Sequence, residues 1–264
     1  MKLLFIGAGK MATALGKAIV TGGLLAKENI VAADISEAAR IAFTNTTGIR
    51  TVPDAAPEVA SADFIILAVK PQVAASVVAS LPKIGKDTLV LSICAGIPLA
   101  KLCDWFGSKR VIRVMPNTPL MVGQGASAFA VAEDVSAEEA DFARRLLSSA
   151  GKAWPVPEEM LDAVTALSGS GPAYIFAMAE AMAEAGVAAG LPADLSLELT
   201  LQTITGSAEM MSRRIDTPEH LRQAVTSPNG TTYAALQVMQ NAGFAKIMCD
   251  AIIAAKKRSE ELGK

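Results

Sequence analysis

The sequence is poor in the side chains that carry much of enzyme chemistry. Its single histidine is His220, so a Ser-His-Asp triad would have to use it, and nothing around it supports that role. His220 falls in the first turn of an expected helix and reads as a surface residue. The three cysteines, Cys94, Cys103 and Cys249, lack paired spacing and have no histidine cluster beside them. That argues against a disulfide framework or any metal site and makes a reducing, cytoplasmic setting the expectation. Charged residues are only 19% and the net charge is −2, without the basic stripe that nucleic-acid binding needs. Long apolar runs are missing as well. Met1–Ile6 is too short for an export signal, and Gly7 interrupts it. Ala173–Gly190, the best candidate for a membrane span, carries Glu180 and Glu184 on one helical face, which argues against a span.

What the chain does have is 264 residues that are 52% hydrophobic, enough for one large domain or two smaller ones with sizeable cores. Lys2–Ile6, Ile30–Ala33, Phe64–Val69, Thr88–Ile93 and Arg110–Val114 are continuous apolar runs, the pattern of parallel strands buried on both faces. Segments of crossover length separate them, including Ala12–Thr21 and Gln72–Leu81. This βαβ rhythm predicts a doubly wound sheet, to which Ser127–Ala132 and Lys152–Val156 add strands. After Trp154-Pro155-Val156-Pro157 only helical patterns follow: Met160–Thr165, Ala173–Ala189, Ala193–Arg214, Pro218–Val225, Tyr233–Asn241 and Ala245–Glu261. The expected fold class is therefore α/β, with a Rossmann doubly wound, mostly parallel sheet over residues 1–156 and an all-helical domain over 157–264. So many apolar helices in so short a stretch call for cover, and a helical subunit interface is the expected answer.

Two places look built for ligands. Gly7-Ala8-Gly9-Lys10-Met11-Ala12 follows a strand and opens a helix, the G-x-G-x-x-A dinucleotide fingerprint. Its first glycine makes the turn, the second admits a pyrophosphate, and Ala12 allows close helix packing. Asp34 ends the second strand, where a carboxylate binds the ribose 2′-hydroxyl of NAD and repels a 2′-phosphate. A plain turn residue is the other reading of Asp34, and Lys10, Ser36 and Arg40 are the groups that could relieve a conflict with NADP. Ala68-Val69-Lys70-Pro71 and Cys94-Ala95-Gly96 also follow strands and should border the cofactor; Lys70 is either a contact or a solvated loop lysine. The second place is Ser227-Pro228-Asn229-Gly230-Thr231-Thr232, a tight turn running into a helix. The bare N–H groups of such a start suit a carboxylate or phosphate. Leu167-Ser168-Gly169-Ser170-Gly171-Pro172 precedes the longest apolar helix, and Ser170 is read as lining a site rather than as part of a flexible joint. Glu180 and Glu184 on that helix are read as a solvated or interface stripe rather than as paired catalytic carboxylates. A nucleotide site and a small-anion site in one chain suggest a dehydrogenase or reductase.

The G-A-G-K-M-A loop, Ala68-Val69-Lys70-Pro71-Gln72, Val114-Met115-Pro116-Asn117-Thr118-Pro119, Leu167–Tyr174 and Val225–Leu236 stand in the order and spacing of pyrroline-5-carboxylate reductases, and the resemblance covers nearly the whole chain. It implies reduction of 1-pyrroline-5-carboxylate to L-proline with NADPH, the last step of proline synthesis, and a helical domain that forms homodimers, often assembled into decamers. It also implies that the amides of Gly230, Thr231 and Thr232 hold the substrate carboxylate and that the Thr232 hydroxyl meets the ring nitrogen. Ala95 and Gly96, with Ala68–Pro71, would flank the nicotinamide. Two residues depart from the pattern. Asn229 stands where many members have glycine, though Asn tolerates the same left-handed backbone. Asp34 stands where members often carry an uncharged residue, which leaves NADH open as the cofactor. The rival readings are another two-domain reductase and a nucleotide sensor without turnover. The first commonly uses a catalytic lysine from the helical domain, whose lysines here are confined to Lys246 and the tail; the second has no need of a further anion site.

Overall fold

The structure, a computed structural model, describes residues 1–263. Its contacts divide the chain into two compact units, Met1–Ser170 with Ala255–Lys264, and Gly171–Ala254. In the first unit β1 (Leu3–Ile6), β2 (Ile30–Ala33), β3 (Arg50–Val52), β4 (Phe64–Leu67), β5 (Leu89–Ser92), β6 (Val111–Met115), β7 (Gly125–Val131) and β8 (Gly151–Pro155) form one sheet. Their order is β3-β2-β1-β4-β5-β6-β7-β8, and only the β6–β7 pair is antiparallel. The first six strands thus have the doubly wound order, which reverses between β1 and β4.

The apolar runs make this sheet because successive residues face opposite sides. Of the helices α1 (Lys10–Thr21), α2 (Glu37–Thr47), α3 (Ala56–Val59), α4 (Pro71–Ala79), α5 (Leu99–Phe106) and α6 (Ala137–Ser148), α1, α2 and α6 join one core with Leu3, Phe5, Phe64 and Ile66. Leu4, Ile6, Ile65 and Leu67 join the other core with α3, α4, α5 and α7 (Leu161–Val164). A fully buried side chain of this size stabilises by about 1.5–3 kcal/mol, whereas an exposed ion pair contributes about 0–1 kcal/mol. The two cores therefore set the stability of this unit.

Two features differ from the sequence reading. Strand β3 has no apolar run to mark it in the sequence: it has three residues, begins at exposed Arg50 and lies at the sheet edge. The composition change after Trp154–Pro157 marks the end of the last strand, but packing on the sheet continues. Leu161 and Ala166 beyond it are fully buried, and the first compact unit runs on to Ser170.

The second unit comprises α8 (Gly171–Ala188), α9 (Ala193–Ser212), α10 (Pro218–Ala224), α11 (Thr231–Asn241) and the start of α12 (Phe244–Gly263). Ser196 on α9 ties it to α8 by donating its hydroxyl to the Ala183 carbonyl at 2.7 Å. Thr217 caps α10 by accepting the His220 amide at 3.2 Å, and Pro218 takes the first helical position. His220 is exposed, its Nδ1 2.9 Å from Asp216. No hydrophobic side chain of residues 171–254 is buried, and Phe176, Leu201 and Ile247 are all half exposed or more. Among the described residues no helix is long and apolar enough to cross a membrane.

One polar contact pins the sheet to the segment after it. Glu158 Oε1 accepts the Leu99 amide at 2.7 Å, at the start of α5, and buried Arg113 at 2.9 Å. Glu158→Ala leaves both donors without their acceptor and should cost about 2–3 kcal/mol. Chemical denaturation measures it, and a loss below about 0.5 kcal/mol would contradict this role.

Candidate active site

The first group of site residues gathers at the carboxyl ends of β2, β1, β4 and β5, beside the point where the strand order reverses. Gly7 ends β1 with φ +103°, and a Cβ there would stand 2.5 Å from the Ala68 carbonyl oxygen at the end of β4. Only glycine combines that backbone with that closeness. Gly9 then precedes α1, which has neither a side-chain cap nor an acidic residue in its first turn. Apart from its own chain neighbours, no atom lies within 4 Å of where a Gly9 Cβ would be, so a ligand can approach this helix start closely. Ala12 is fully buried, as close packing requires, while Met11 packs partly against the same core. These features fit a dinucleotide pyrophosphate: bare amides, the positive helix end and open space above the second glycine.

Asp34 lies beside this loop. Its Oδ2 accepts the Ala8 amide at 2.9 Å and its Oδ1 the Ser36 amide at 2.9 Å. Lys70, at the N-cap of α4, is exposed, and Pro71 opens that helix. The Cys94 thiol donates to the Val69 carbonyl at 3.2 Å, which holds the turns after β4 and β5 together. Burial pushes this thiol above the usual cysteine range. Ala95 is exposed. Gly96, with φ +76°, lies against the last turn of α12, its Cβ position 3.7 Å from Leu262. Lys101 reinforces that contact by donating to the Gly263 carbonyl at 3.2 Å. A separate cleft of about 390 Å³, lined by Lys2, Lys27, Arg50 and Glu58, lies at the opposite edge of the strands. Open α/β sheets bind ligands at the carboxyl ends, so that cleft is not the cofactor site.

Ser170 closes the first unit. Thr165–Gly169 before it form a π-turn, and the Ser170 amide donates to Thr165 at 2.8 Å. Buried Asn117, just past β6, holds this turn: its Nδ2 donates to the Ser168 carbonyl at 3.1 Å and its Oδ1 accepts Ala126 at 2.9 Å. In the sequence Asn117 stands out only within the Val114–Pro119 motif. Its role comes from burial beside a strand end, which the sequence does not display.

In the second unit the turn forms as expected, with Asn229 left-handed at φ +57°. The Gly230 amide donates to the Ser227 carbonyl at 3.0 Å, and a Gly230 Cβ would meet Ser227 Oγ at 2.5 Å. That amide therefore closes the turn, and of the three amides expected from the sequence to hold an anion, those of Thr231 and Thr232 are left. Helix α11 has no side-chain cap and no acidic residue in its first turn.

Residues 158–262 match the family described as pyrroline-5-carboxylate reductase dimerisation, and residues 2–96 match the family described as NADP oxidoreductase, coenzyme F420-dependent. The pyrroline-5-carboxylate reductase of Glycine max is 42% identical over 259 residues, 98% of this chain and 94% of that protein. The chain belongs to the pyrroline-5-carboxylate reductase family. The Pseudomonas aeruginosa reductase is likewise 42% identical, over 99% of this chain and 96% of its own. The crystal structure of the Plasmodium falciparum pyrroline carboxylate reductase with NADP bound superposes with a TM-score of 0.89 at 32% identity, covering 100% of this chain and 98% of that one. As in the family, an NAD(P)-type Rossmann region precedes a dimerisation region here, and the second of these contains the Ser227–Thr232 turn.

Gly9 separates cofactor binding from folding. Gly9→Ala adds a methyl group that touches nothing, so stability should stay within about 0.5 kcal/mol. The same methyl fills the space above the loop and should weaken reduced-cofactor binding at least about tenfold, near 1.4 kcal/mol. Fluorescence titration beside a thermal melt checks both, and unchanged affinity would contradict the placement of the cofactor.

Proposed function

We propose that the chain reduces 1-pyrroline-5-carboxylate to L-proline with NAD(P)H, residues 1–156 holding the cofactor and 157–264 the substrate and the dimer contact. The observation that carries this reading is the uncapped start of α11 behind the Ser227–Gly230 turn, within the family's dimerisation region. The substrate is a cyclic imine bearing one carboxylate. Two first-turn amides and the positive end of a helix suit that single charge.

The bound nicotinamide supplies the hydride, and the residues at the ends of β1, β2, β4 and β5 would hold it: Gly7–Ala12, Asp34, Ala68–Pro71, Ala95 and Gly96. The Thr231 and Thr232 amides hold the substrate carboxylate, with Gly230 shaping their turn. The Thr232 hydroxyl oxygen accepts the N–H of the protonated imine and fixes which ring edge faces the reacting carbon. Ser170 lines the substrate side. No strong side-chain acid is needed, because the substrate nitrogen carries its proton from solvent. Fixing the ring supplies much of the acceleration. Two copies pair through the helical unit, whose exposed Phe176, Leu201 and Ile247 supply apolar surface to bury against a partner. Assembly of such dimers into a decamer rests on the family resemblance alone.

Thr232→Ala should lower kcat/KM by about one to two orders of magnitude, or about 1.4–2.8 kcal/mol, followed as pyrroline-5-carboxylate-dependent loss of reduced-cofactor absorbance. An unchanged value would refute the assignment of Thr232. No oxidation by wild-type protein that binds cofactor would return the reading to another imine or to a sensor.

A further inference from the structure

The surroundings of Asp34 bear on which cofactor this reductase takes. A cofactor with a 2′-phosphate needs donors, or cations with free hydrogens, just beyond β2. Here the Ser36 amide and one Arg40 nitrogen at that point are engaged within the chain. The Asp34 carboxylate takes the Ser36 amide with Oδ1 and the Ala8 amide with Oδ2, both at 2.9 Å. It is thereby held between the glycine loop and the start of α2. The Ser36 hydroxyl accepts the Ala39 amide at 3.3 Å as the N-cap of α2. The Arg40 guanidinium turns Nη1 onto the Asp34 and Ile35 carbonyls at 2.8 and 3.1 Å. The Asp34 amide itself donates to Val52 of β3 at 3.1 Å, which fixes the backbone at this point. Lys10 and Lys17 line a cleft of about 410 Å³ between α1 and α2 with Thr13 and Thr46. Among the described residues neither lysine forms an ion pair with Asp34, whose carboxylate is held by the two amides.

We propose that Asp34 makes this chain select NADH over NADPH. A carboxylate in this position accepts the 2′-hydroxyl of an unphosphorylated ribose. Toward a 2′-phosphate it presents like charge, and it occupies the Ser36 amide that would otherwise serve as a phosphate donor. The link to Ala8 matters equally, because it ties the carboxylate to the loop that receives the pyrophosphate, so ribose and pyrophosphate are read by one rigid unit. The inference rests on the cofactor site assigned above and adds its selectivity.

Direct binding to the purified full-length protein, without substrate, tests it: fluorescence titration with NADH and with NADPH, on wild type and on Asp34→Ser. Wild type should bind NADH at least about tenfold more tightly than NADPH, and Asp34→Ser should close that gap, weakening NADH and admitting NADPH. Asp34→Ser also severs the Ala8 contact, so a second measurement uses wild type alone. There, ADP-ribose should displace bound NADH at least about tenfold better than its 2′-phosphorylated form. NADPH binding as tight as NADH, or tighter, would overturn the selectivity while leaving the cofactor site standing. Failure of both dinucleotides to bind would overturn the site and the selectivity together.

Discussion

The cofactor half of the molecule depends on one close approach, that of the Gly7 backbone to the Ala68 carbonyl where β1 and β4 part. A side chain at Gly7 would stand 2.5 Å from that oxygen, so any other residue would force the two strand ends apart. Their closeness sends the chain from β1 straight into α1 and brings Ala8 within reach of the Asp34 carboxylate. It also sets the turn after β4 near the turn after β5, where Cys94 holds Val69. The loops proposed to hold the dinucleotide are thus positioned by backbone geometry, and few side chains reach toward a ligand. This suits a chain with one histidine, since a cofactor that carries the reactive bond asks the protein chiefly for position and electrostatics.

Both proposed ligand sites share a device. Helices α1 and α11 each begin after a glycine, with no side-chain cap and no acidic residue in the first turn. An absent cap commonly costs about 1 kcal/mol. Side-chain caps occur at some other helices: Ser136 and Glu139 form a reciprocal capping box at α6, and Ser36 and Thr217 cap α2 and α10. Because α4, α5 and α9 also lack one, a bare start alone does not mark a site, and α1 and α11 are set apart by the glycine that precedes each. The helical unit raises a different demand. It leaves large apolar side chains in solvent and buries none, which a lone chain would tolerate poorly and a partner copy would correct.

Much of this was legible in the sequence, for physical reasons that also mark the limits. Strands such as Phe64–Leu67 are buried on both faces, so their composition alone announces them, whereas edge strand β3 needs no apolar run and gives no sign. The fingerprint loop and the Ser227–Thr232 turn were visible because glycine, proline and asparagine restrict a backbone locally. Long-range contacts were not. Nothing in sequence says that the Gly230 amide closes its own turn, that Asn117 holds Ser168, or that the end of α12 lies on Gly96. Asp34 falls between these cases: its identity raised the question of cofactor choice, and only its two amide partners supply an argument for one answer.

The central claim is hydride transfer to a carboxylate-anchored cyclic imine, and isotope transfer tests it most directly. The protein would be incubated with pyrroline-5-carboxylate and reduced cofactor deuterated on the transferring face at nicotinamide C4, and the product analysed by mass spectrometry and NMR. The account predicts L-proline carrying one deuterium at the former imine carbon. Proline without deuterium, or loss of the label to solvent with no proline formed, would contradict it.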